Sequence, residues 1–162
     1  MTKPRLYTLL LCTLALALPG IATAYDADLA TRLHEGLTGK MDRQNLAEAP
    51  PKIDAPELVK ALAKGEGPVL LDIRTPAEHA MVALSHPRAL WIPLDELFKP
   101  ENLDRLPADT PVAVVCLSGY RAAFATALLR AVGFEDAVFV KGGLAGLVKE
   151  LKPSVLGPVK SR

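Results

Sequence analysis

The apolar positions of the chain fall into runs and stripes that predict its elements. Leu29, Leu33, Leu37 and Met41 recur every fourth residue between Tyr25 and Gln44. That spacing predicts a short helix with a narrow apolar stripe, which could dock on its own domain or on a partner, with the domain favoured. Leu46 to Pro51 ends in two prolines and reads as a linker. Asp54-Ala-Pro-Glu57 predicts a helix start, with Asp54 as the cap and Glu57 at the capping-box position. Leu58, Val59, Leu62 and Ala63 form the apolar face of that helix, and Gly65 and Gly67 lie at its end. The apolar run Pro68 to Ile73 suits a buried parallel strand. Thr75 to Met81 follows as a short helix, Ala89 to Ile92 as a strand, and Leu94 to Phe98 and Glu101 to Arg105 as helical turns. Pro111 to Val115 is the clearest strand, and an Ala/Leu-rich helix runs from Tyr120 to Val132 until Gly133 stops it. Ala137 to Val140 is a strand, and Gly142-Gly143 opens a last helix to about Leu151. Strands alternating with helices predict an α/β domain, with a largely parallel sheet covered on both faces.

The N-terminal apolar run has a different meaning. Lys3 and Arg5 precede about 13 apolar residues, Leu6 to Leu18, then Pro19-Gly20 and Ala22-Thr23-Ala24. This is the layout of an export signal cleaved after Ala24, and the run is shorter than the ~20 residues needed to cross a bilayer. Leu11 before Cys12 argues against a lipid-modified cysteine. The expected organisation is a signal peptide at 1–24, a helical extension and linker at 25–51, one domain at 52–152, and a polar tail at 153–162. In a Gram-negative source the location would be periplasmic.

Composition narrows the function. The 162 residues carry 19 basic and 18 acidic side chains. Cleavage removes Lys3 and Arg5, leaving 17 against 18. This balance argues against a nucleic-acid or anionic-membrane binder. His34, His79 and His86 show no metal-ligand spacing, and each is expected at the surface or hydrogen-bonded. Of two cysteines, cleavage leaves Cys116 alone. A lone thiol in an exported protein is a buried bystander, an intermolecular partner or a reactive group.

The surroundings of Cys116 favour the reactive group. It ends a buried strand and is followed by Leu117, Ser118, Gly119, Tyr120 and Arg121, where a helix begins. Ligands of open α/β sheets bind beyond the carboxyl ends of strands. A loop running into a helix N-terminus aims backbone N–H groups at one point, and Gly119 permits the tight path. Arg121 adds positive charge. Together these favour a bound anion and Cys116 as a thiolate.

Cys116-Leu-Ser-Gly-Tyr-Arg121 with its Ala-rich helix resembles the active-site loop of the rhodanese family of sulfurtransferases. Asp72-Ile-Arg74-Thr-Pro76-Ala-Glu78, Ala89-Leu-Trp-Ile-Pro93 and Val140-Lys-Gly142-Gly143 resemble three further family segments, in order, between about Ile53 and Leu147. The resemblance implies a three-layer fold around a sheet of about five strands. It also implies a double displacement. Cys116 takes the outer sulfur of thiosulfate or a similar anionic donor, and the persulfide passes it to a thiophilic acceptor (cyanide, a thiol or a partner protein). Residues 117–121 would bind the substrate, and no metal or organic cofactor would be required. The alternative is a relay module that holds persulfide for a partner without turnover. Phosphatase or arsenate reductase chemistry is a third reading, but related enzymes of those classes have five residues between cysteine and arginine. Here there are four, a smaller ring suited to one sulfur atom.

The chain departs from the family at three places. Leu117 stands where arginine is frequent, Leu84-Ser-His-Pro-Arg88 replaces Gly-His-Ile-Pro-Gly, and Leu147 replaces an aromatic residue. Asp72 and Arg74 are expected to support the backbone of the Cys116 loop rather than shape the pocket. Lys141 either attracts the donor or is a solvated surface lysine. Tyr120 is expected at the pocket mouth and Trp91 in the core.

Overall fold

The computed structural model describes residues 25–39 and 50–151. The expected signal peptide, most of the expected linker and the tail from 152 onward lie outside the described residues, as does Met41 of the apolar stripe. Among the described residues no helix is long and apolar enough to cross a membrane.

The elements are α1 (Ala27–Leu33) continued by a π-helical turn (His34–Thr38), β1 (Lys52–Ile53), α2 (Ala55–Ala63), β2 (Val69–Asp72), α3 (Pro76–Met81), β3 (Ala89–Trp91), α4 (Leu94–Leu97), α5 (Pro100–Leu103), β4 (Val112–Val115), α6 (Tyr120–Ala131), β5 (Val138–Val140) and α7 (Gly143–Glu150). The five strands form one sheet in the order β1-β5-β4-β2-β3, and every pairing is parallel. The apolar pattern does not show β1, because two residues are too short to display a periodicity. From β2 the chain steps outward to β3, then returns past β2 to β4 and on to β5. The order therefore reverses between β2 and β4, which pair from Val69↔Val112 to Asp72↔Val115. A crevice opens at such a reversal, beyond the carboxyl ends of the strands.

Alternate residues of the strands feed two cores. Leu70, Ala113, Val115 and Val140 meet Leu58 and Val59 of α2 and Leu144 and Leu147 of α7 on one face. Leu71, Ile73, Val112, Val114 and Cys116 meet Leu97 and the Ala122, Ala125 and Leu129 face of α6 on the other. The alanines let α6 lie close to the sheet, so the loop between Val115 and Tyr120 is short and tightly held. Leu147, in the place of the family's aromatic residue, is a buried core residue.

The π-helical turn packs on α6. A Cβ on Gly36 would stand 3.6 Å from the Ala131 Cα, so the N-terminal segment docks on its own domain. The helix is shorter than the leucine stripe predicts, because the α-helical turn ends at Leu33.

Two local expectations need correction. Asp54 holds the N-cap position of α2 but makes no capping hydrogen bond. Its carboxylate is turned to Lys141, 3.2 Å away. Trp91 is half-buried rather than core, because β3 is an edge strand. Its ring stacks on His79, with centroids 4.4 Å apart and planes 13° apart.

Candidate active site

Cys116 lies at the carboxyl end of β4, fully buried. Its position is fixed from the sheet side, since the Ile73 N–H donates to the carbonyl of the preceding Val115 at 2.9 Å. The loop then curls back over it. The Gly119 N–H donates to Cys116 Sγ at 3.1 Å. Gly119 has φ of +101°, a conformation that glycine adopts without steric cost. The first turn of α6 begins at Tyr120, so its unsatisfied N–H groups and the positive end of the helix face the same loop. The loop thus brings a backbone N–H donor onto the sulfur itself.

The outer side of the loop is clamped by α7. Leu144 N–H donates to the Cys116 carbonyl at 2.7 Å, and Ala145 N–H to the Leu117 carbonyl at 3.1 Å. Gly143 makes this approach possible. A Cβ there would overlap the Cys116 carbonyl oxygen and stand 2.8 Å from the Gly119 nitrogen. The Gly142-Gly143 pair thus brings the helix start against the loop. The sequence showed the pair but not this role.

Arg121 is at the site but is not an unpartnered charge. Its Nη1 and Nη2 donate to Glu78 Oε2 at 2.8 Å and Oε1 at 2.6 Å. The Arg121 guanidinium holds the Glu78 carboxyl down at about 2. Glu78 in turn raises Arg121 above its ordinary value, with the Cys116 sulfur as a smaller contributor. Glu78 also closes the capping box of α3: it accepts from the Thr75 N–H at 3.0 Å, while its own N–H donates to Thr75 Oγ1 at 3.3 Å. Glu78 was missed as a site residue. Its local signal was the Thr75-x-x-Glu78 spacing before a helix.

Asp72 and Arg74 form a buried two-bond pair, Nε to Oδ1 at 2.8 Å and Nη2 to Oδ2 at 2.7 Å. Arg74 further donates to the carbonyls of Val82 at 2.6 Å and Glu78 at 3.3 Å. Its own carbonyl accepts from Trp91 Nε1 at 3.0 Å. Burial raises the Asp72 carboxyl, but hydrogen bonds from Arg74 and His79 outweigh it and hold the group below its ordinary value. The pair therefore braces α3 and the turn after it, not the Cys116 loop as expected. Its link to that loop runs through Glu78 and Arg121. His79, with Nδ1 3.2 Å from Asp72 Oδ2, is hydrogen-bonded as predicted.

Leu117, Ser118 and Tyr120 are exposed around the loop. Lys141 is exposed and engaged with Asp54. Among the described residues, no three of the His, Cys, Asp and Glu side chains group as a metal site would need. The arrangement can hold an anion over a buried sulfur nucleophile with backbone N–H groups.

The description of the rhodanese-like domain matches residues 54–150 of the chain. The chain belongs to the rhodanese-like family. Among relatives, 100 residues are 33% identical to a probable adenylyltransferase/sulfurtransferase, MoeZ, of Mycobacterium tuberculosis, covering 62% of this chain and 25% of that protein. The chain thus spans about a quarter of that relative's length. A protein of Allochromatium vinosum named sulfurtransferase is 34% identical over 104 residues, covering 64% of this chain and 94% of that one. The crystal structure of a rhodanese-like domain protein of Staphylococcus aureus superposes with a TM-score of 0.53 at 33% identity, over 59% of this chain and 89% of that one. The rhodanese-like segments, from Asp72 to Gly143, all fall within the matched region.

Proposed function

We propose that this protein is an exported sulfurtransferase that carries sulfane sulfur on Cys116. The observation that supports this reading best is the buried Cys116 Sγ at the strand end, with the Gly119 N–H donating to it. Thiosulfate is the simplest donor. The Cys116 thiolate attacks its outer sulfur, the S–S bond of the donor breaks, and sulfite leaves with the electron pair. Cys116 then holds a persulfide anion. A thiophile such as cyanide attacks the outer sulfur, thiocyanate forms, and the thiolate returns. Thiolate and persulfide each carry one negative charge, so one set of N–H donors serves both.

The test is the intact mass of the purified protein after incubation with thiosulfate. One sulfur atom is gained, none is gained by Cys116→Ser, and cyanide removes it as thiocyanate. Loading without turnover would identify a sulfur carrier that serves a partner. No gain with thiosulfate, polysulfide or a mercapto-acid donor would sink the sulfurtransfer reading.

A further inference from the structure

Large apolar side chains are exposed on the elements that carry the site. Leu117, next to the thiol-bearing residue, is 49% exposed. Tyr120 and Phe124 lie on one face of α6, four residues apart, and are 86% and 61% exposed. Met81 and Val82, 84% and 51% exposed, close α3, the helix that Glu78 ties to Arg121. Large apolar side chains exposed on the segments that carry a reactive group point to a binding surface.

The cations that follow the strands of the site are paired. Three cations stand at or just beyond the carboxyl ends of β2, β4 and β5, and each has its own carboxylate. Arg74 pairs with Asp72 at 2.7 Å, Arg121 with Glu78 at 2.6 Å, and Lys141 with Asp54 at 3.2 Å. A doubly charged donor entering here gives up hydration that grows with the square of its charge, and these three cations, among the described residues, are already paired. It also approaches a sulfur anion, and that repulsion doubles with the donor's second charge.

We propose that Leu117, Tyr120 and Phe124 select a sulfur donor with an apolar body and at most one charge, such as an organic thiosulfonate or hydropersulfide, over the thiosulfate dianion. This rests on the sulfurtransferase reading and narrows its substrate class. With a thiosulfonate, the Cys116 thiolate bonds to the terminal sulfur. The bond between the donor's two sulfurs breaks, and its electron pair leaves on the sulfinate. The charge is two negative before and after, and no proton moves.

Benzenethiosulfonate and thiosulfate make a matched pair of probes. Their kcat/KM ratio is measured on the full chain with cyanide as acceptor, and divided by the ratio of their rates with free cysteine. The expected normalised preference for the aryl donor is about tenfold, the equivalent of about 1.4 kcal/mol. Leu117→Arg raises kcat/KM for thiosulfate and makes it fall as salt is added, a dependence that a packing role would not create. Tyr120→Ser lowers kcat/KM for the aryl donor more than for thiosulfate. A normalised ratio of one or less overturns the proposal while leaving sulfur transfer intact. Failure of both donors to load Cys116, read by mass, overturns the sulfurtransferase reading and this inference with it.

Discussion

Glu78 decides what Arg121 can offer the site. Cys116, Gly119 and Arg121 were legible because they share one loop. Glu78 is 43 residues from its partner, and nothing in the local pattern pairs them. The pair makes a pH signature. The Glu78 carboxyl sits at about 2 when folded against an ordinary 4.5. A lowered carboxyl stabilises the fold fully above its unfolded value and loses that contribution as pH falls from about 4.5 towards 2. Glu78→Gln is expected to cost about 1 kcal/mol or less at neutral pH, since the pair is partly exposed. Its urea-unfolding free energy should depend less on pH through the same window, and an unchanged dependence would refute the assignment. Asp72 adds acid sensitivity in the same direction, because its carboxyl is also lowered.

At the scale of elements, the site is a contact between a loop and two helix starts. Gly143→Ala should be the sharpest test of that contact. The residue has φ of +55°, and its new Cβ would meet backbone atoms of Cys116, Leu117 and Gly119 rather than a movable side chain. The expected loss is about 2 kcal/mol or more in thermal or chemical unfolding, with sulfur loading of Cys116 impaired beyond the loss of folded protein. On α3, Thr75→Ala removes half of the capping box and should cost about 1 kcal/mol. Element types were largely legible, since parallel strands read as apolar runs and α6 as an Ala/Leu helix. The exceptions have physical reasons. β1 is only two residues long, and the edge position of β3 leaves Trp91 half-buried. The Asp54 side chain had a cation within reach that competed with its capping role.

For the whole molecule, the reversal of strand order between β2 and β4 places the site, and that follows from topology rather than from any residue pattern. The alternation of strands and helices gave the class of fold, while the order of strands needed the structure. The N-terminal segment belongs to the same scale. Removal of residues 25–39 uncovers the Ala131 end of α6 and should lower the melting temperature by about 5 °C. Sulfur loading should survive, because Cys116 is held from β4, α6 and α7. Export is checked by cell fractionation and mass, which should give a protein starting at Tyr25. The hold of α7 on the loop has a further consequence. The carbonyls of Cys116 and Leu117 are both tied to helix N–H groups, which hold the main chain in place against a group added to the thiol. The ordering cost is met at folding, not at each turnover. In the sulfur-carrying role proposed above, the protein is expected to keep the same outline full and empty, so that a recipient would learn of the load only by reacting with the sulfur itself.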